Sequence, residues 1–262
     1  MVVADLKKAA NPLRVAQFVV RTCQQLKYCR ERKKLVCLLT GCEGPRVDQL
    51  IKQVGLESPF VKALAEKYAI RKFNRGDFEL SKRAGTMFFN CVTLYLLVRL
   101  LRPECVVETG GTPGKSSAFI LQAMAENDCG CLYTLDLPPP ETPKRLSEFS
   151  NDFPWHKELP RGMQTGWIVP DRLKERQTII CGNTGNTLKP LLNKLHTIDW
   201  FIHDSDHSYE NMKFEFETAF PSVRPGGLLI SDDIDHNRSF DELAAENGCY
   251  SKKMPYFGIV RK

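Results

Sequence analysis

The sequence predicts an α/β fold: a doubly wound, mostly parallel sheet with helices on both faces and a helical extension in front of it. Three observations carry this expectation. From residue 105 onward, short apolar runs alternate with helix-period stretches, the pattern of parallel strands joined by crossover helices. The first of those runs breaks into a glycine turn that opens a helix, over Val106 to Ser117. Two later runs end in clustered acids, near 204–206 and 232–235.

Taken in order, the apolar positions from Leu13 to about Lys34 recur with helical spacing, and further helical stretches follow near 46–54 and 58–72. The polar patch Asn74-Arg75-Gly76-Asp77 marks a boundary, which divides the chain into a helical N-terminal extension, 1–84, and a main domain, 85–262. A long apolar helix over 85–101 would pack on the sheet until Pro103 stops it. The predicted series then runs strand 105–109, helix 115–126, strand 131–136, strand 177–181, helix 186–195, strand 198–203, helix 208–220, strand 227–231 and helix 239–246. Tyr256-Phe257-Gly258-Ile259-Val260 fits a final edge strand. The 137–170 connection is too long for a simple loop and carries seven of the sixteen prolines with Trp155, His156 and Trp167, which suits a lid or pocket wall.

Composition bounds the function. A chain of 262 residues can bury a substantial core, and no apolar run approaches the ~20 residues needed to cross a bilayer, so a cytoplasmic protein is expected. The ten cysteines form no C-x-x-C pair and read as reduced core thiols, with Cys129-Gly-Cys131 set apart. The net charge of +6 is localised: residues 1–34 carry nine Lys or Arg against only Asp5 and Glu31, a charge of +7, and the remaining 228 residues sum to −1. Such a front end can meet nucleic acid or an anionic surface, but its cations are interleaved with an apolar stripe of Leu13, Ala16 and Val20, which favours a solvated helix face.

The glycine turn selects a ligand. Gly110, Gly111 and Gly114 let a ligand approach the backbone, and the helix that follows offers N–H groups at its start. Glu108 sits at the strand tip, where a pyrophosphate would be repelled by roughly 4 kcal/mol at 4 Å and an effective dielectric of 20. A dinucleotide fingerprint starting at Thr109 is also incomplete, which weakens a nicotinamide dehydrogenase. Asp136, at the end of the second strand, stands where a carboxylate grips ribose hydroxyls. S-adenosylmethionine meets those terms, with a ribose, a sulfonium cation and an amino-acid zwitterion. Ser116 and Ser117 can reach its carboxylate or simply cap the helix.

Asp204, Asp206 and His207 fall just past the strand ending at His203, and Asp232, Asp233 and Asp235 just past its expected neighbour. Adjacent strand tips bring such carboxylates together, so either a cation sits among them or protonation or solvent relieves the repulsion. Mg²⁺ would satisfy the demand and lower the pKa of a substrate hydroxyl. His207 and Asp206 are candidate bases, each with a plain alternative as a helix-start residue.

Glu108-Thr109-Gly110 through Ser117, Leu132 to Pro138, and Phe201-Ile202-His203-Asp204-Ser205-Asp206-His207-Ser208-Tyr209 resemble class I S-adenosylmethionine-dependent methyltransferases, in the branch that contains macrocin O-methyltransferase. The resemblance covers roughly residues 85–262. It implies a Rossmann-like sheet of seven strands with the last antiparallel, and cofactor contacts from Glu108, Thr109, Gly110, Gly111, Gly114, Ser116, Ser117, Asp136 and Asp204. It also implies adenine near Asn183, where many relatives carry an acid, and a metal at Asp204, Asp232 and Asp233. The expected reaction is O-methylation of a small-molecule hydroxyl, on a sugar or natural product. A nucleic-acid methyltransferase using the basic front end is the alternative, although no Asn-Pro-Pro-Tyr or Asp-Pro-Pro-Tyr run follows the fourth strand. A non-catalytic nucleoside-binding module is another, disfavoured by the clustered acids. The apolar front helix suits a homodimer.

Overall fold

The computed structural model of the chain describes residues 12–55, 57–69, 83–137, 164–254 and 256–262. Most of the boundary expected at 74–84, most of the 137–170 connection and the first lysines of the basic segment lie outside the described residues.

Four helices come first: α1 (Pro12–Thr40), α2 (Gly44–Gln53), α3 (Pro59–Ala69) and α4 (Arg83–Leu101). The alternating part follows as β1 (Cys105–Thr109), α5 (Lys115–Asn127), β2 (Cys131–Asp136), β3 (Gln177–Cys181), α6 (Thr184–Leu195), β4 (Ile198–His203), α7 (Tyr209–Ala219), β5 (Val223–Asp232), α8 (Ser239–Glu246), β6 (Tyr250–Met254) and β7 (Phe257–Arg261). The seven strands form one sheet in the order β3-β2-β1-β4-β5-β7-β6. Pairs among β1 to β5 are parallel, whereas β7 runs antiparallel to both β5 and β6.

The central strands are buried on both faces, as parallel strands between helix layers must be. Period-two alternation splits them: Trp200 and Ile202 of β4 with Leu228 and Ile230 of β5 enter one core with α1 to α5, while Phe201 and Leu229 enter the other with α6, α7 and α8. The first core is continuous from Leu35 and Val36 of α1, through Leu50 of α2 and Leu64 of α3, to Leu96 of α4 and Phe119 of α5. Helix α4 is buried from Asn90 to Val98, because it lies between the front helices and the sheet and has no solvent face there.

Two elements extend well past their expected bounds, and one strand was not expected at all. Helix α1 continues to Thr40, since Leu35, Val36 and Leu39 extend its buried stripe. Strand β5 begins at Val223, where Ile198 of β4 provides a pairing partner before a register shift. Strand β6 had no expectation: its Tyr-Ser-Lys-Lys-Met sequence lacks alternation, and it forms by hydrogen bonding to β7 at an edge that its lysines keep polar.

The chain builds outward from β1 to β3 and then returns to place β4 against the other side of β1. That reversal opens a crevice beyond the carboxyl ends of β1 and β4, where open α/β sheets bind their ligands.

Candidate functional site

The glycine turn leaves β1 directly into this crevice. Gly110 has φ +81°, and a Cβ there would lie 1.9 Å from the Asp204 carbonyl oxygen, so only glycine lets the turn touch the tip of β4. The Asp204 N–H donates to the Thr109 carbonyl at 3.0 Å, and the Gly110 N–H to the Leu135 carbonyl at 2.8 Å. The turn is thus fastened to both neighbours of β1.

Glu108 is fully enclosed beneath the turn. Its carboxylate accepts hydrogen bonds from Ser116 Oγ, from Ser117 Oγ at 2.5 Å and from Thr134 Oγ1 at 3.2 Å. Burial pushes its pKa up to about 7, the three hydroxyl donors pull it down, and nearby Asp136 raises it further. Glu108 therefore forms the floor of the turn, and Ser116 and Ser117 turn their hydroxyls inward to it.

Asp136 bridges three segments. Its Oδ2 accepts from Thr112 Oγ1 at 2.6 Å, Thr165 Oγ1 at 3.1 Å and the Gly111 N–H at 3.2 Å, while Oδ1 accepts the Leu137 N–H at 2.8 Å. Thr165 was not singled out in the sequence, because it lies within the long connection whose path sequence does not give. Gly114 takes the left-handed conformation at the start of α5 and lies against Gly166 and Val169 of that same connection. Asn183 is exposed and caps α6, its Oδ1 accepting the Gly185 N–H at 2.7 Å.

Past β4, Asp204 keeps 31 % of its side chain exposed on the crevice. Its carboxyl group lies deep enough that burial, followed by the charges of Asp232, Glu108 and Asp233, lifts its pKa well above the ordinary carboxylate range. Asp232 is pushed to about 7 by burial and by Asp233, against the Asn90 amide, which donates to its Oδ1 at 2.8 Å. Tyr28 of α1 in turn donates to Asn90 Oδ1. A front helix therefore reaches the acid cluster through one amide, a link that a lone Asn in the apolar run of α4 hardly announces.

Asp206 is exposed and holds the start of α7, accepting from the Ser208 N–H at 3.0 Å and from Ser208 Oγ at 3.2 Å. His207 is the more enclosed of the two candidate bases, with 7 % of its side chain exposed. Its Nε2 has no hydrogen-bond partner and lies 4.0 Å from Asp204 Oδ1. Burial, then His203 and His236, lower its pKa to about 3, so the imidazole is neutral at neutral pH. Beside it, His203 Nδ1 is 2.7 Å from Glu215 Oε2, and Glu215 also accepts from Thr109 Oγ1 at 2.6 Å and Ser205 Oγ at 2.8 Å. Burial alone would raise Glu215, but these partners outweigh it and hold it below its usual range. Glu215 sits on the buried face of α7 beside Phe216, and nothing in its spacing marks it.

Among the described residues, the side chains whose potential ligand atoms converge are His207, Asp233 and His236. Of the predicted metal set, Asp233 belongs to that group and Asp204 and Asp232 do not; the charges of Asp232 and Asp233 raise the pKa of Asp204, and that of Asp233 raises the pKa of Asp232. The spacing Asp233-x-x-His236 was the available signal for the third histidine.

Comparison with known proteins bears on this crevice. Residues 107–234 match the family model described as a methyltransferase domain. Demethylmacrocin O-methyltransferase of Streptomyces fradiae is 31 % identical over 85 residues, which are 30 % of this chain and 22 % of that protein. An 8-demethyl-8-alpha-L-rhamnosyl tetracenomycin-C 2'-O-methyltransferase of Streptomyces olivaceus is 27 % identical over a stretch of the same length and coverage. The matched stretch thus spans about a fifth of these relatives (22 %). Among solved structures, an O-methyltransferase from Bacillus cereus in complex with SAH has a TM-score of 0.51 at 17 % identity, covering 83 % of this chain and 97 % of its own. The calicheamicin methyltransferase CalS11 has the same TM-score of 0.51 at 16 % identity, covering 78 % and 93 %. These two likenesses concern the fold.

Proposed function

We propose, from the match of residues 107–234 to a methyltransferase domain, that this chain transfers a methyl group from S-adenosylmethionine to a hydroxyl of a small molecule such as a sugar or natural product. The observation that carries the reading is the glycine turn at the β1/β4 reversal, floored by an enclosed Glu108 and flanked by Asp136, inside the matched domain. The names of the two curated relatives, both O-methyltransferases, support oxygen as the acceptor atom.

S-adenosylmethionine supplies a methyl group on a sulfonium, which leaves as a neutral thioether once the acceptor oxygen attacks the methyl carbon. The chain's part is mainly to position and to remove a proton. Gly110 and Gly111 admit the amino-acid end, with Thr109 and Asp204 at its sides. Gly114, Ser116 and Ser117 present the start of α5 to its carboxylate. A cation above the turn favours the ionised form of Glu108, whose charge reaches the ligand through the hydroxyls it holds. Asp136 faces the ribose and Asn183 the adenine. His207 or Asp206 accepts the hydroxyl proton. The repulsion that Asp232 and Asp233 exert on Asp204, and Asp233 on Asp232, would be relieved by a divalent cation such as Mg²⁺, which when bound would supply charge to the acceptor oxygen. A homodimer through α1 belongs to the same reading, because Leu26 and Leu38 stand exposed on that helix.

Isothermal calorimetry with S-adenosylhomocysteine tests the proposal. Saturable binding is expected, abolished in Gly110→Ala, where the added methyl meets the Asp204 carbonyl. An absence of heat at roughly millimolar ligand, a dissociation constant worth only about 4 kcal/mol, would remove the reading.

A further inference from the structure

We propose that His207, Asp233 and His236 form a binding site for a divalent transition ion of the Zn²⁺ type, separate in chemistry from the all-carboxylate set. Each offers one ligand atom, and these atoms lie within 4.8 Å of one another. Ligands of a tetrahedral ion with bonds of about 2.0–2.1 Å stand roughly 3.4 Å apart, so closure needs a shift of about 1–1.5 Å. His236 can supply it, since it sits on the bend between β5 and α8 with its side chain partly open to solvent. Zn²⁺ and its borderline neighbours favour imidazole, whereas Mg²⁺ favours carboxylate and water oxygens. Two nitrogens and one carboxylate oxygen make the first donor set.

A second observation points to a ligand. His207 is almost wholly enclosed, with 7 % of its side chain exposed, yet its Nε2 has no hydrogen-bond partner. An enclosed polar atom left so is costly and calls for an explanation. The His207 and His236 rings lie 5.4 Å apart between centroids, and the His203 and His207 rings 5.2 Å apart.

The supporting shell is already in place. The β4–α7 and β5–α8 loops are tied by Asn237, whose Nδ2 donates to the His207 carbonyl at 3.0 Å and whose Oδ1 accepts from the Ser239 N–H at 2.9 Å. In the second loop the His236 N–H donates to the Asp233 carbonyl at 3.1 Å, a turn that carries Asp233 and His236 together. Asp233 and His236 each keep 24 % of the side chain exposed, so an ion there retains open coordination positions towards solvent. An ion so held sits at the rim of the crevice beside Asp204. It also commits a lone pair of His207, which leaves Asp206 as the base.

The proposal concerns ion binding by the chain alone and stands whether or not methyl transfer occurs. The test is competition of chelator-stripped full-length protein with a chromophoric chelator for Zn²⁺, together with the visible spectrum of the Co²⁺ form. One equivalent of Zn²⁺ is expected to bind, with Co²⁺ giving ligand-field bands. His236→Ala and Asp233→Asn should each lower Zn²⁺ affinity by at least about tenfold, and Asp204→Asn by no more than about threefold. His236 sits on a surface bend outside both cores, so its variant should keep the melting temperature of the stripped protein. Zn²⁺ affinity unchanged in both His236→Ala and His236→Gln would place the ion elsewhere, on thiols for instance, and overturn the proposal. So would the lack of stoichiometric binding at roughly 0.1 mM Zn²⁺, or a loss on Asp204→Asn as large as on His236→Ala.

Discussion

Glu108 shows how one side chain can be read correctly by position and incompletely by orientation. Its place at the tip of β1 follows from sequence, because the apolar run and the glycines fix where the strand ends. Its downward turn onto Ser116, Ser117 and Thr134 does not, since Thr134 comes from a neighbouring strand whose register only the folded sheet defines. The enclosed carboxyl has a consequence for stability. With its folded pKa raised from 4.5 to about 7, the stability it contributes is fully present below pH 4.5 and is lost as pH rises through 7. Glu108→Gln does not titrate, so its stability relative to the parent should rise on the order of 3 kcal/mol between about pH 5 and pH 8. Chemical denaturation of both proteins at each pH measures this; a pH-independent difference would show that the carboxyl is not charged at a cost. His203 and Glu215 were not legible for a similar reason: their pairing joins a strand tip to the buried side of a helix.

Helix α4 illustrates the same limit for an element. Its existence and its stop before Pro103 follow from composition, and it is buried around its circumference from Asn90 to Val98. Yet it also carries Asn90, which joins Tyr28 of α1 to Asp232 of β5. Asn90→Ala should cost about 1–3 kcal/mol by stranding the partners of an enclosed amide. It should also raise the Asp232 pKa further, because the amide is the first of the influences that lower it. Thermal denaturation reads the first effect and carboxyl titration by NMR the second. Strand β6 is the opposite case, an element absent from the sequence pattern because an edge strand of Tyr, Ser and Lys is held by backbone pairing with β7 rather than by burial. Alternation reveals strands with a face to bury and misses those without one.

For the whole molecule, the strand–helix alternation was enough to anticipate a sheet with two helical faces, and the crevice follows from the return of β4 to β1. The front helices could be named but not docked, since their apolar stripes match any flat apolar face. They dock on the sheet in a single core that runs from Leu35 to Ile230. The homodimer proposed through α1 is tested by sedimentation equilibrium: a dimer that Leu26→Asp with Leu38→Asp converts to monomer is expected, and a parent that stays monomeric at all concentrations would refute it. Arg261 of β7 donates through Nη2 to the Leu39 carbonyl in the last turn of α1, a contact between residues 222 positions apart. On the ribosome that separation becomes a delay of about 10–45 s at roughly 5–20 residues per second. Throughout it, the first long helix of the nascent chain waits for the strand that anchors its end, with its oily stripe within reach of any chaperone that patrols the exit tunnel.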